Sequence, residues 1–168
     1  MKAVRTTFAL FAAVLAIWGL YRLSVVPLLC NRAEKRAQAI TLRSLAEDPQ
    51  RAAVRARLTL EQLEKYRGMC PNDAAILMLI AANEQIRGRP DRAVESYRSA
   101  LRFDRRPELY LNLGQALAQM HKRSEAREAL LRAAIFAPVM AEEIEDIDLK
   151  AEVQRAVVER DAKIRGRE

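Results

Sequence analysis

Hydrophobic and polar positions along the chain fall into three regimes. From Phe8 to Tyr21 no charged or strongly polar side chain occurs. With Thr6 and Thr7 added, this run makes about 24 Å of helix. A hydrocarbon core of about 30 Å asks for around 20 residues. Leu23 to Leu29 supply the remainder if Arg22 lies near an interface and extends its guanidinium toward headgroups. Trp18 and Tyr21 fall where an aromatic belt belongs. The second regime is helical and amphipathic. In residues 32–47, Ala33, Ala37, Ile40, Ser44 and Leu45 recur at the spacing of an inward face. A following helix is expected from Pro49, with proline in its first turn and Asp48 as N-cap. Its apolar positions are Val54, Leu58, Leu60, Leu63 and Tyr66. The third regime follows a linker after Pro138: Leu149, Val153, Val157 and Ile164 recur at helical spacing between Glu142 and Arg165.

Between the first hairpin and that terminal segment the pattern repeats. Leu77, Ile80 and Ala81 return 33 residues later as Tyr110, Leu113 and Gly114, and Ala93, Tyr97 and Ala100 return as Ala126, Leu130 and Ala133. A fixed period of this length marks stacked helical hairpins. Small residues let two helices touch at close range, and large ones fill the grooves between them.

These residues resemble the tetratricopeptide repeat. Counting Pro107 as the first position, Tyr110, Leu113, Gly114, Leu117, Ala126, Leu130, Ala133 and Pro138 match its pattern in order. The preceding unit matches at Leu77, Ile80, Ala81, Ala93, Tyr97 and Ala100. It departs at Glu84, where a large apolar residue is usual, and at Arg105, where proline is usual. Pro71-Asn72-Asp73-Ala74 looks like a junction between units. The apolar run is read as an N-terminal transmembrane helix over residues 1–30, and the resemblance implies an all-α body that begins with a degenerate hairpin over 31–73. Two repeat units then fill 74–138, and a capping helix with its tail fills 139–168.

The N-terminal segment has two rivals to an uncleaved anchor. A secretory signal peptide also combines a basic start with an apolar run, but no A-x-A arrangement of small residues stands between Leu20 and Cys30. A lipoprotein signal resembles a short apolar run ending in a small residue before cysteine, and here Leu28 and Leu29 precede Cys30. The anchor is the reading adopted, with membrane contact through residues 6–29. Basic residues flank both ends: Lys2 and Arg5 on one side, and Arg22, Arg32, Lys35 and Arg36 on the other. The positive-inside bias slightly favours a cytoplasmic body. Short basic N-termini nevertheless commonly stay in the cytoplasm and send the rest across, so a periplasmic body is expected. The excess of arginine over lysine points to a GC-rich bacterial genome.

Charge and chemistry narrow the function classes. Only three of the 29 basic residues and none of the 22 acidic ones precede Asn31, which leaves the body a net charge of +4. Such a mixed surface lacks the concentrated basic stripe that nucleic acid favours. Chemistry-bearing residues are few. His121 is the single histidine, in the turn between paired helices, and Gly68, Gly88 and Gly114 are isolated rather than clustered into a phosphate loop. The acidic run from Glu142 to Asp148 has no glycine turn and no EF-hand spacing. Acidic residues near a helix start are expected on dipole grounds. Cys30 and Cys70 read as two separate, partly buried thiols; a disulfide would need both an oxidising compartment and proximity. No catalytic residue, metal or cofactor is expected.

The remaining candidate is a surface. In the family the first helix of each hairpin lines a concave groove for peptides or partner helices. The resemblance places Met78, Ala82 and Gln85 there from one unit, and Leu111, Asn112, Gln115 and Gln119 from the next. Asn112 falls where some chaperone-binding relatives hold a peptide carboxylate, but Ala82 and Gln115 stand where those relatives carry basic residues. An apolar, amide-rich groove suits an extended or helical protein segment. Two functions fit: a membrane-anchored scaffold supporting assembly of a bacterial envelope complex, or an integral accessory subunit whose transmembrane helix packs inside a larger membrane complex.

Overall fold

The structure, a computed structural model, describes residues 2–166, with side chains from Phe11 to Gly166. It is all-α, with no strand among the described residues. Helix α1 (Lys2–Leu20) passes through a π-helical turn (Tyr21–Val25) into α2 (Val26–Leu45) without a break. Pro27 accounts for the wide turn. Lacking an N–H, it cannot donate to the carbonyl four residues back, and its ring crowds that position. The Val26 N–H reaches five residues back, to the Tyr21 carbonyl. The uninterrupted rod is about 66 Å long. Its apolar side chains from Phe11 to Val25 are exposed on every side of the helix. Phe11–Leu45 is, by length and composition, a helix able to cross a membrane. Arg22 lies with its guanidinium over the Trp18 ring at 5.4 Å.

Helices α3 (Pro49–Met69), α4 (Ala74–Ile86), α5 (Pro90–Ala100), α6 (Pro107–Gln119) and α7 (Arg123–Phe136) then run alternately down and up. Proline opens α3, α5 and α6, where its missing N–H has no partner to lose. The Asp48 carboxylate caps α3 through the Arg51 N–H, and Asp73 caps α4 through the Ala75 and Ile76 N–H groups. Among the described residues, α2 packs on α4 and α4 on α6, whereas the backbones of the outer helices α3, α5 and α7 stand farther apart, α5 and α7 meeting through the Arg98–Glu125 ion pair at 2.6 Å. The stack therefore curves around an inner wall of α2, α4 and α6. The rod that emerges from the apolar segment is itself the first inner helix, which the boundary expected at residue 30 did not foresee.

Small residues set the spacing. Ala93, Ala100, Ala116, Ala126 and Ala133 are buried between helices, with Tyr97, Leu109, Leu117 and Leu130 filling the gaps. Gly114 shows why the spacing matters: a Cβ there would lie 2.5 Å from Leu130 Cγ. In the first hairpin the same rule corrects the expected face. Ala33, Ala37, Thr41 and Ser44 of α2 are buried, as are Ala52, Ala56, Thr59, Leu60 and Leu63 of α3. Leu45, Val54 and Leu58, assigned inward from their hydrophobicity, are exposed. Close approach of two helices selects small side chains over large ones at the contact. Asn83, fully buried, ties the inner wall together: its Nδ2 donates to Thr41 Oγ1 and to the Leu79 carbonyl, both at 2.8 Å. Glu84, the departure from the repeat pattern, is buried beside Arg87 at 3.7 Å, and the hairpin still closes through the Arg89 N–H to the Glu84 carbonyl.

The tight turns of the two repeat units are equivalent. Gly88 has φ +70°, and His121, 33 residues on, occupies the same left-handed region at φ 58°. Histidine there bears a backbone cost that glycine escapes. Gly88→Ala is expected to lower the unfolding free energy by about 1 kcal/mol, read as a urea midpoint shift without a change in slope. An unshifted midpoint would show that the turn relaxes instead.

Cys30 and Cys70 form a disulfide, which corrects the reading of two separate thiols. Cys30 stands near the lower end of α2, where α1 enters, and Cys70 caps the end of α3 as it returns to that level. Antiparallel pairing brings their Cα atoms to 6.3 Å, inside the range a disulfide spans.

Beyond α7, a 3₁₀ turn (Pro138–Ala141) and a short turn-and-bend segment precede α8 (Ile147–Arg165). The terminal helix thus starts at Ile147 rather than near Glu142. Asp146 caps it through the Leu149 N–H, and Glu142 pairs with Lys150 at 2.9 Å. Those contacts, together with the Arg123–Glu152 pair at 2.7 Å, engage acids of this segment structurally. Leu149 and Val153 are buried against the stack, but Ile164 is exposed near the helix end.

Candidate partner groove and its lower mouth

Helices α4 and α6 carry every candidate groove residue. Met78, Ala82 and Gln85 follow one another at helical spacing on α4 and are all half-buried. Gln85 is held in place: its Oε1 accepts the Tyr97 hydroxyl at 3.3 Å. Burial pushes that phenol well above its ordinary range, so it stays a donor. On α6, Asn112 is half-buried and Gln119 exposed, whereas Leu111 is 4% exposed and belongs to the core. Leu111 therefore offers no surface.

The chain's own C-terminal segment occupies the rest of the α6 face. Gln115 Nε2 donates to the Glu143 carbonyl at 3.0 Å. Gln115, Ala118 and Gln119 line a cavity of about 220 Å³ together with Ile144, Glu145, Asp146 and Leu149. Sequence periodicity could not reveal this, because the covering residues are not helical. Of the candidates, Met78, Ala82, Gln85 and Asn112 are half-buried and lie outside this covered part.

A larger cavity, about 630 Å³, opens at the lower end, where α1 enters the body. Val26, Pro27, Cys30, Asn31 and Glu34 of α2 form one side. The α3–α4 junction around Cys70 and Asn72 forms the floor, and Phe103, Asp104 and Arg106 of the α5–α6 loop close the other side. Arg106 Nε donates to Asp104 Oδ2 at 2.7 Å, and this hydrogen bond holds the Asp104 carboxyl below the usual carboxylate range. None of these residues was marked as a candidate from the sequence. A visible signal was the loop sequence Leu101-Arg102-Phe103-Asp104-Arg105-Arg106, where an aromatic sits among arginines.

His121 is exposed in the turn between α6 and α7. Among the described residues no group of three or more His, Cys, Asp or Glu side chains converges as metal ligands would.

Comparison with known proteins agrees with the hairpin geometry. No protein-family model matches the chain, and no curated protein is detectably similar in sequence. Among solved structures, the chain is similar to a thermophilic TPR protein of Thermus thermophilus, with a TM-score of 0.61 at 20% identity. The match covers 83% of this chain and 69% of that one. With the repeat signature at Pro107–Pro138, the alternating inner and outer helices and this structural likeness, the body has the tetratricopeptide-repeat fold.

Proposed function

We propose that the chain is a membrane-anchored scaffold whose repeat array binds a protein segment and supports assembly of a bacterial envelope complex. The observation that carries this reading is the continuity of the rod. An apolar helix exposed on all sides has no stable place in water, and it leads without a joint into the inner wall of a protein-binding fold. The Cys30–Cys70 disulfide supports a body on the oxidising side of the inner membrane, the periplasm, because such bonds persist there and are rare in the cytosol. Arg22, folded over Trp18 near the end of the apolar run, fits an interfacial position and supports an anchor crossing once. The half-buried wall of Met78, Ala82, Gln85 and Asn112 suits an extended or helical segment, and no catalytic role is assigned to any residue.

Two measurements test the reading. A C-terminal alkaline phosphatase fusion is expected to be active and a C-terminal green fluorescent protein fusion dark; the reverse pattern defeats the periplasmic assignment. Photo-cross-linkers at Ala82 and Asn112 are expected to capture one common protein, and a cross-linker at Arg92 on the outer helix α5 is not. Equal capture at Arg92, or none at either groove position, defeats the groove. Exchange of residues 6–29 for an unrelated span separates the two functions: a scaffold keeps its partner, whereas an integral accessory subunit loses it.

A further inference from the structure

The lower end of the body has features that a water-facing end would not need. Phe103 is 48% exposed, Phe136 59%, Val139 62% and Leu28 70%. Alternation of the helices brings their segments to one level. Phe136 ends the descending α7 and stacks on Tyr110, at the base of the ascending α6, with ring centroids 5.8 Å apart. Val139 follows in the next turn. Phe103 lines the same cavity as Val26 and Pro27, the last apolar turns of the rod before Cys30. The α5–α6 loop therefore stands level with the point where the apolar run ends. Arg102 and Arg105 are exposed on either side of it, and the intervening Asp104 is already engaged by Arg106. The other exposed apolar patch, on the upper outer face of α2 and α3, has no neighbour that identifies an occupant.

We infer that this lower end rests on the phospholipid surface that the anchor crosses, with Phe103, Phe136 and Val139 seated among the headgroups and Arg102 and Arg105 against lipid phosphates. The inference rests on the membrane-anchored reading above. Side chains that are apolar at the tip and flanked by arginine match the chemistry of an interface, which is apolar about 5–10 Å below a charged surface. The rod fixes the distance: its apolar run ends at Leu29, one residue before the disulfide that holds the α3–α4 junction at the same height. The lower cavity, with apolar and polar walls, opens into the headgroup layer. The body docks end-on, its inner wall rising from the membrane.

Tryptophan quenching in the full-length chain tests this, using vesicles of phosphatidylcholine and phosphatidylglycerol that carry brominated acyl chains. Trp18 of the native chain reports on the anchor. In a Trp18→Phe background, Phe103→Trp places a lower probe in the α5–α6 loop and Lys122→Trp an upper probe in the opposite turn. The lower probe is expected to be blue-shifted and quenched nearly as strongly as Trp18, with the upper probe unquenched. Quenching of the lower probe should weaken in pure phosphatidylcholine and in the Arg102→Ser/Arg105→Ser variant; equal quenching there overturns the role of the arginines. If Trp18 is quenched but the lower probe is no more so than the upper one, the anchor stands and the docking fails. If Trp18 is unquenched, the anchored reading itself fails and the inference with it. A lower probe that is blue-shifted but unquenched overturns the inference in favour of a protein cover, such as a second copy. Equal quenching of both probes overturns the end-on geometry.

Discussion

Breaking the Cys30–Cys70 bond is expected to lower the stability of the body by about 4 kcal/mol. The bond closes a segment of 40 residues, and the chain-entropy relation for a loop of that size gives about this value. For a chain of this length the change corresponds to a fall of roughly 10 °C in Tm. Melting the full-length chain in detergent with and without dithiothreitol measures it, followed by circular dichroism. The Cys30→Ala/Cys70→Ala variant should melt at the lower temperature in both conditions, because reduction then has nothing left to cleave. An unchanged melt on reduction would mean that helix packing alone holds the first hairpin, and the oxidising compartment would lose its structural support.

Gly114→Val is expected to cost about 3 kcal/mol, the upper end of what overpacking a tight core produces. The first added carbon would meet Leu130 Cγ at 2.5 Å and Cδ2 at 2.6 Å, with the Ala126 carbonyl oxygen 3.2 Å away. Leu130 is itself 1% exposed and has nowhere to retreat. Helix α7 would have to move away from α6, and the contact that positions the last hairpin would open. Gly68→Val is the control, since nothing lies within 4 Å of a Cβ at that position. Removing a helical glycine there should leave stability unchanged or slightly higher. Urea unfolding of both variants decides the matter. If Gly114→Val unfolds with the parent, the close approach of α6 and α7 is not what the repeat pattern encodes.

The repeat units were legible because their pattern is local and redundant. Ala93, Tyr97 and Ala100 and their counterparts Ala126, Leu130 and Ala133 each fix a helix contact, and every one of them is buried. The cap at Asp48 was readable for the same reason. The first hairpin was harder, because its contact face is built from Ala52, Ala56 and Thr59, residues that a hydrophobicity count passes over. It favours Val54 and Leu58, which the fold leaves outside. Pairing of Cys30 with Cys70 depends on how far α3 returns along α2, a tertiary fact with no local signature. The covering of the α6 face was not legible. Repeat position marked Met78, Ala82, Gln85 and Asn112, but it could not show that the non-helical stretch before α8 folds back over Gln115.

The unbroken passage from α1 into α2 has a mechanical consequence. Because the first inner helix of the stack is the upper part of the same rod, leaning that rod moves the inner wall. From Cys30 to Leu45 it rises about 24 Å, so a lean of about 10°, modest for a membrane-crossing helix, carries its top sideways by about 4 Å. That distance is comparable to one side chain. If the rod crosses a membrane as proposed, helices pressing on its apolar part would shift the inner wall above, with no messenger other than leverage.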